Sequence, residues 1–180
     1  KLMKAYYAKQ DAEKLSGKGD TSQKLTLMKT SADSLKKSAD ALNDSSLWEK
    51  KKIKKKDEKT GEEIEVEDYD WDKITKAVKS FVEDYNDVVK EAGESNTKDV
   101  LRNASWMTGM TDKNSNMLAK IGITIGKGNK LELDEDALKQ ADISSLKTVF
   151  TGYNSFVSKI SQKATCISNA ANRASATYTN

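Results

Sequence analysis

The feature that most constrains this chain is a recurring three-and-four alternation in the spacing of its apolar residues, in a sequence that contains no proline. Leu25, Met28, Ala32, Leu35, Ala39 and Leu42 follow it first, then Ile74, Val78, Phe81, Tyr85, Val88 and Ala92. The longest run is Tyr153, Val157, Ile160, Ala164, Ile167, Ala171, Ala174 and Tyr178. At 3.6 residues per turn these positions form a narrow stripe, which leaves water only by packing lengthwise against another helix. Without proline nothing forces the backbone to break within such runs. The spacing therefore predicts a mainly α protein: an elongated helical bundle with heptad-type seams and one or two small β-hairpins. Its helices cover about 22–43, 72–92 and 153–178, with Leu35, Phe81, Tyr85, Ile160 and Ile167 buried.

The connecting segments read less regularly. Residues 1–16 are compatible with a short helix, interrupted by Gly17 and Gly19, after which Asp20, Thr21 or Ser22 can cap the first long helix. A further helix from about Thr97 uses Val100, Leu101, Ala104 and Met107 and is expected to break at Gly109 and the polar TDKNSN. From Leu118 to Ile125 the residues become β-branched. The segment IGITIGKGNKLEL reads as a hairpin turning at Gly126 to Asn129, and Asp134 can cap a short helix after it. Residues 48–70 differ from all of these: a lysine run around Ile53, a DEKTG turn, and an acidic run around Ile64 and Val66. Opposite charges on two strands pair well, so this stretch reads as a projecting charged arm with too little apolar surface for a core of its own.

At 180 residues the chain supports one core, and a single domain spanning 1–180 is the simplest organisation. Charged residues make up 33% of it, yet the net charge is only +3, so no global field would hold nucleic acid or an anionic membrane. No apolar run approaches the length of a membrane span, and none resembles a signal peptide. Neither nucleic acid nor membrane insertion is expected; the partners expected are proteins, including further copies of the chain.

Catalytic readings fail one after another. With no histidine, triads, zinc-hydrolase motifs and imidazole proton shuttles are excluded. The pairs Asp57/Glu58 and Glu62/Glu63 sit in the charge-dense, exposed arm, where a solvated surface is the expected reading. Asp112, Asn114 and Asn116 imitate the opening of a calcium loop, but Met117 replaces the turn glycine and Ile123 the closing glutamate. The Gly126-Lys127-Gly128 triplet lacks the Lys-Ser/Thr ending of a phosphate loop. Ser34 with Lys37 and Ser144 with Lys147 match a serine–lysine spacing that chance supplies in so Ser- and Lys-rich a chain. Cys166, the sole cysteine, permits no internal disulfide and reads as inert packing or partial exposure. The chain reads as a non-enzyme, with no catalytic residue, metal site or cofactor.

Contact with other molecules is then the expected activity, and two regions offer surface for it. The last helix carries small, weakly charged residues outside its seam, which places Ser168 and Ala170 among the expected outer contact positions, with Tyr178 at the end of the seam as a further contact residue. The arm contributes Lys51 and Lys54.

The words ITKAVKSFVEDYNDVV, MLAKIGITIGKGNKLELDEDALKQA and SSLKTVFTG, in that order, resemble the C-terminal region of the flagellar hook-associated protein 2 family, the filament cap. The likeness covers about residues 74–153, and more weakly the seam to Tyr178. The resemblance implies a hairpin, a capped helix and a C-terminal coiled-coil-type helix, in a non-enzymatic axial or surface protein. Such a protein is exported to the flagellum, the cell surface or the medium without a cleaved signal. The link between YNDVVKEA and MLAKIGI is compressed and the outer domains of caps have no room here, so the chain reads as a reduced, divergent relative. A soluble or surface binding module on the same fold, using the Lys/Glu-rich arm, is the alternative.

Overall fold

A computed structural model describes residues 19–178, with side chains to residue 176. The helix read at 1–16 lies outside the described residues. Four long helices form the body: α1 (Ser22–Leu42), α2 (Trp71–Gly93), α3 (Lys98–Lys113) and, after three short ones, α7 (Phe156–Tyr178). Between them lie β1 (Lys50–Lys56) and β2 (Glu63–Tyr69), α4 (Ser115–Ala119), β3 (Ile123–Ile125), β4 (Leu131–Leu133), α5 (Glu135–Gln140) and α6 (Ile143–Phe150). The strands form two separate antiparallel hairpins. The mainly α architecture with small hairpins is thus the one the spacing predicts.

The seams of α1 and α2 are buried at every position named, and so is that of α7 from Val157 to Ala171. Helix α1 is central, running antiparallel to both α2 and α7. Ala32 and Ala39 of α1 and Ala164 and Ala171 of α7 lie in these seams, where small side chains let helices approach closely. Thr21 caps α1, its hydroxyl accepting the Lys24 N–H at 3.2 Å. At the centre of the core, the Phe81 ring lies 6.2 Å from Tyr85, 6.5 Å from Phe150 and 6.3 Å from Phe156, the last two edge to face.

Four local expectations change. Tyr153 is not part of the last seam: it is 86% exposed and precedes the helix, which starts at Phe156 beyond Gly152. Helix α3 does not break at Gly109 but continues to Lys113. A helical glycine costs only about 1 kcal/mol, and beyond it the buried Thr111 hydroxyl both returns to the Met107 carbonyl and accepts the Tyr85 hydroxyl at 2.8 Å. Tertiary anchoring outweighs the local cost. The strand read from Leu118 shortens to Ile123–Ile125, because Ser115–Ala119 forms a helical turn that buries Leu118. Gly122 ends that turn at φ +90°, and a Cβ there would stand 2.7 Å from the Asp134 carbonyl oxygen, so only glycine fits.

The last change concerns the base of the arm. Trp48, read as its first residue, belongs to the core: it is 1% exposed, stacks on Phe150 at 5.4 Å and donates its indole N–H to the Leu42 carbonyl at 2.7 Å. The arm proper begins at Lys50. Deleting residues 51–67 and closing the gap with a short turn therefore leaves this anchor intact. Calorimetry should find the melting temperature within about 3 °C of the parent, the shift that about 1 kcal/mol gives in a domain of this size.

Candidate interaction surfaces

In the arm, Lys52 pairs with Glu67, Ile53 with Val66, Lys54 with Glu65 and Lys56 with Glu63. Side chains alternate across a strand, so the register sorts the arm into two faces. One carries Lys50, Lys52, Lys54 and Lys56 opposite Tyr69, Glu67, Glu65 and Glu63; the other carries Lys51, Ile53 and Lys55 beside Ile64, Val66 and Asp68. Lys51 and Lys54, three apart, thus stand on opposite faces and do not form one patch. Lys55 bridges diagonally to Asp68 at 2.6 Å. That bond, the Tyr69 N–H and the nearby Lys50 hold the Asp68 carboxyl below its ordinary range, against a small opposing desolvation. Ile64 remains 39% exposed. Neither outer edge of β1 or β2 is paired with another strand among the described residues.

The last helix differs from expectation. Ser168 and Ala170, read as outer positions, are 6% and 2% exposed. Ser168 donates its hydroxyl to Asp33 of α1 at 2.6 Å, and one heptad away Ser161 does the same to Asp40 at 2.6 Å. Both are inner positions of the α1–α7 pair. The heptad count followed the apolar stripe, but small Ser and Ala flanking it are buried too, because α1 and α7 pack closely and α3 covers a further side. The Tyr178 side chain lies outside those described. Cys166 is half-buried and unpaired.

Asp33 and Asp40 carry the chemistry of this seam. Desolvation pushes both carboxyls up, but it is outweighed by hydrogen bonds from Lys29 and Ser168 to Asp33 and from Lys36 and Ser161 to Asp40. Lysine charge adds to these, and both end below the ordinary aspartate range. A carboxyl whose folded pKa is depressed adds stability that is present above its unfolded pKa and is lost as pH falls through the folded one. Stability should therefore fall as pH drops below about 4, where unfolded aspartates protonate. Asp33→Asn with Asp40→Asn, which keeps the seryl hydrogen bonds, should flatten that acid limb in urea titrations at pH 2–5. An unchanged slope contradicts the assignment. Asp84, raised by burial despite a Ser38 hydrogen bond and further raised by Asp87 and Glu83, acts in the opposite sense.

One constellation carried no sequence signal. The carboxylate of Asp20, 3% exposed, accepts from the Ser95 hydroxyl at 2.6 Å, the Asn96 N–H at 2.7 Å and the Thr97 hydroxyl at 2.6 Å. It ties the loop between α2 and α3 to the start of α1. Asn43 makes a similar paired clamp on the backbone of Gly152, and Asn86 on that of Leu131. These side chains are fully engaged in holding the fold.

Among the described residues no group of three or more His, Cys, Asp or Glu side chains converges, and the calcium-like Asp112, Asn114 and Asn116 lie at the junction of helices α3 and α4 rather than in a loop. No helix is long and apolar enough to cross a membrane, again among the described residues. Compared with known proteins, the chain matches no family model, no curated protein and no solved structure.

Proposed function

We propose that this chain is a non-enzymatic assembly protein whose helical body is a scaffold and whose charged arm makes the contact between copies. The observation that carries the reading is the arm itself: a basic strand and an acidic strand side by side, each with an unpaired outer edge. If β1 of one copy meets β2 of the next, the Lys–Glu pairing within the arm is repeated between subunits. Two β1 strands or two β2 strands would set like charges opposite each other, which destabilises. The contact is then head to tail, the kind that builds rings or filaments.

The setting we propose is the bacterial flagellum or cell surface. Support comes from the ordered words shared with the filament-cap family, whose hairpin and capped helix correspond to β3, β4 and α5 here. Immunogold labelling of intact cells tests this: label on flagella or at the cell surface agrees with it, and label confined to the cell interior contradicts it. The burial of Ser168 and Ala170 leaves the last helix less free surface for copies of itself, which turns attention to the arm, and in the second reading that arm engages a different protein.

A further inference from the structure

A second surface, remote in role from the arm, lies where α3 faces α7. Trp106 is 48% exposed on α3, and the Lys163 ammonium of α7 sits 4.2 Å from its ring centroid. Beside it opens a cavity of about 460 Å³ lined by Ser105, Trp106, Gly109, Met110, Lys113, Asn114 and Lys159. None of these is acidic, and neither Lys113 nor Lys159 is in an ion pair among the described residues.

Ser105 supplies an independent sign. Its residue is 5% exposed, yet its hydroxyl has no hydrogen-bond partner among the described residues. A helical serine ordinarily returns its hydroxyl to a carbonyl one turn back, and a buried hydroxyl left without a partner is costly. Rotation of this side chain toward the cavity it lines would bring the hydroxyl within reach of an acceptor on an occupant and remove that cost. Gly109 has nothing within 4 Å of where a Cβ would be, so an incoming chain can approach the helix backbone closely at that point.

We infer that this cavity docks an acidic segment of a partner protein, with an apolar side chain against Trp106 and Met110 and carboxylates on Lys113, Lys159 and Lys163. Aromatic and thioether surface ringed by lysines that have no acidic partner among the described residues favours an occupant that is apolar at its centre and anionic at its rim. The chain's own acidic strand is a poor occupant, because its backbone is already paired with β1 along its whole length. The inference does not depend on the arm and survives its failure.

The test is a heteronuclear NMR titration of the full 15N-labelled chain with the pentapeptide ELEEL, blocked at both ends, and with its neutral counterpart QLQQL. The acidic peptide should shift the Trp106 indole N–H and the Lys113 and Lys159 amides saturably, and more weakly as salt is raised. Lys113→Glu with Lys159→Glu should weaken binding about tenfold or more, and Trp106→Ala should abolish the shifts at both lysines. These side chains are exposed, so an unchanged melting temperature verifies that the variants are folded. No shift at Trp106, an equal response to QLQQL, or shifts confined to the arm lysines would overturn the site. A Trp106 shift that depends on protein concentration without peptide would assign the cavity to a second copy instead and overturn the partner assignment.

Discussion

Phe81→Ala should lower the unfolding free energy by about 3–5 kcal/mol, the usual cost of truncating a buried phenylalanine. Phe81 is fully buried in α2 and its ring meets Tyr85 of its own helix, Phe150 of α6 and Phe156 of α7. Three elements lose a shared partner, and Trp48, stacked on Phe150, loses its backing as well. The cavity cannot close without moving helices that the Asp20, Asn43 and Asn86 clamps hold in place. Urea unfolding should show a lower midpoint at an unchanged slope. A loss below about 1 kcal/mol, the range of ordinary surface substitutions and small deletions, would mean that this aromatic cluster does not hold the body together.

The second large effect reverses the reading that the sequence alone invites. As an outer residue, Ser168 would accept glutamate at little cost. At 6% exposure, and donating to Asp33, it cannot. Ser168→Glu forces a longer side chain into a buried position, sets a second carboxylate beside the half-exposed Asp33 at the edge of the α1–α7 seam, and removes the hydroxyl that Asp33 accepts. Overpacking of this kind costs about 1–3 kcal/mol, and the like charge adds to it. Ser168→Ala, which loses only the hydrogen bond, should cost about 1 kcal/mol. The glutamate variant should recover part of its loss as pH falls and the carboxyl pair takes up a proton. If it melts like the parent, Ser168 faces solvent after all.

These two predictions mark what the sequence did and did not disclose. Phe81 was legible because a wholly apolar position repeats at helical spacing, and the same held for Leu35, Ile160 and Ile167. The hairpin at β3 and β4 was legible from β-branched alternation around Gly126 to Asn129. Ser168 and Ala170 were not, because small residues carry almost no hydropathy signal and their side of the helix is set by which neighbour approaches, a tertiary fact. Trp48 was assigned to the arm because charge dominates the residues after it, while its anchor is a carbonyl six residues back and a ring on α6. Asp20 was read only as a cap candidate, and its partners at Ser95 to Thr97 lie over seventy residues away. The arm's charge pairing could be read in advance, but its register, which separates Lys51 from Lys54, could not. The Trp106 cavity had no sequence signal, since it needs α3 and α7 side by side.

The central claim is that the arm joins copies while the helices only carry it. Sedimentation velocity of the parent chain and of the chain lacking residues 51–67, each over a hundredfold concentration range at low and high salt, tests it most directly. The account predicts that the parent forms a concentration-dependent oligomer at low salt that dissolves at high salt, and that the armless chain stays monomeric with an unchanged melting temperature. A parent that is monomeric throughout, or an armless chain that associates as the parent does, would contradict it.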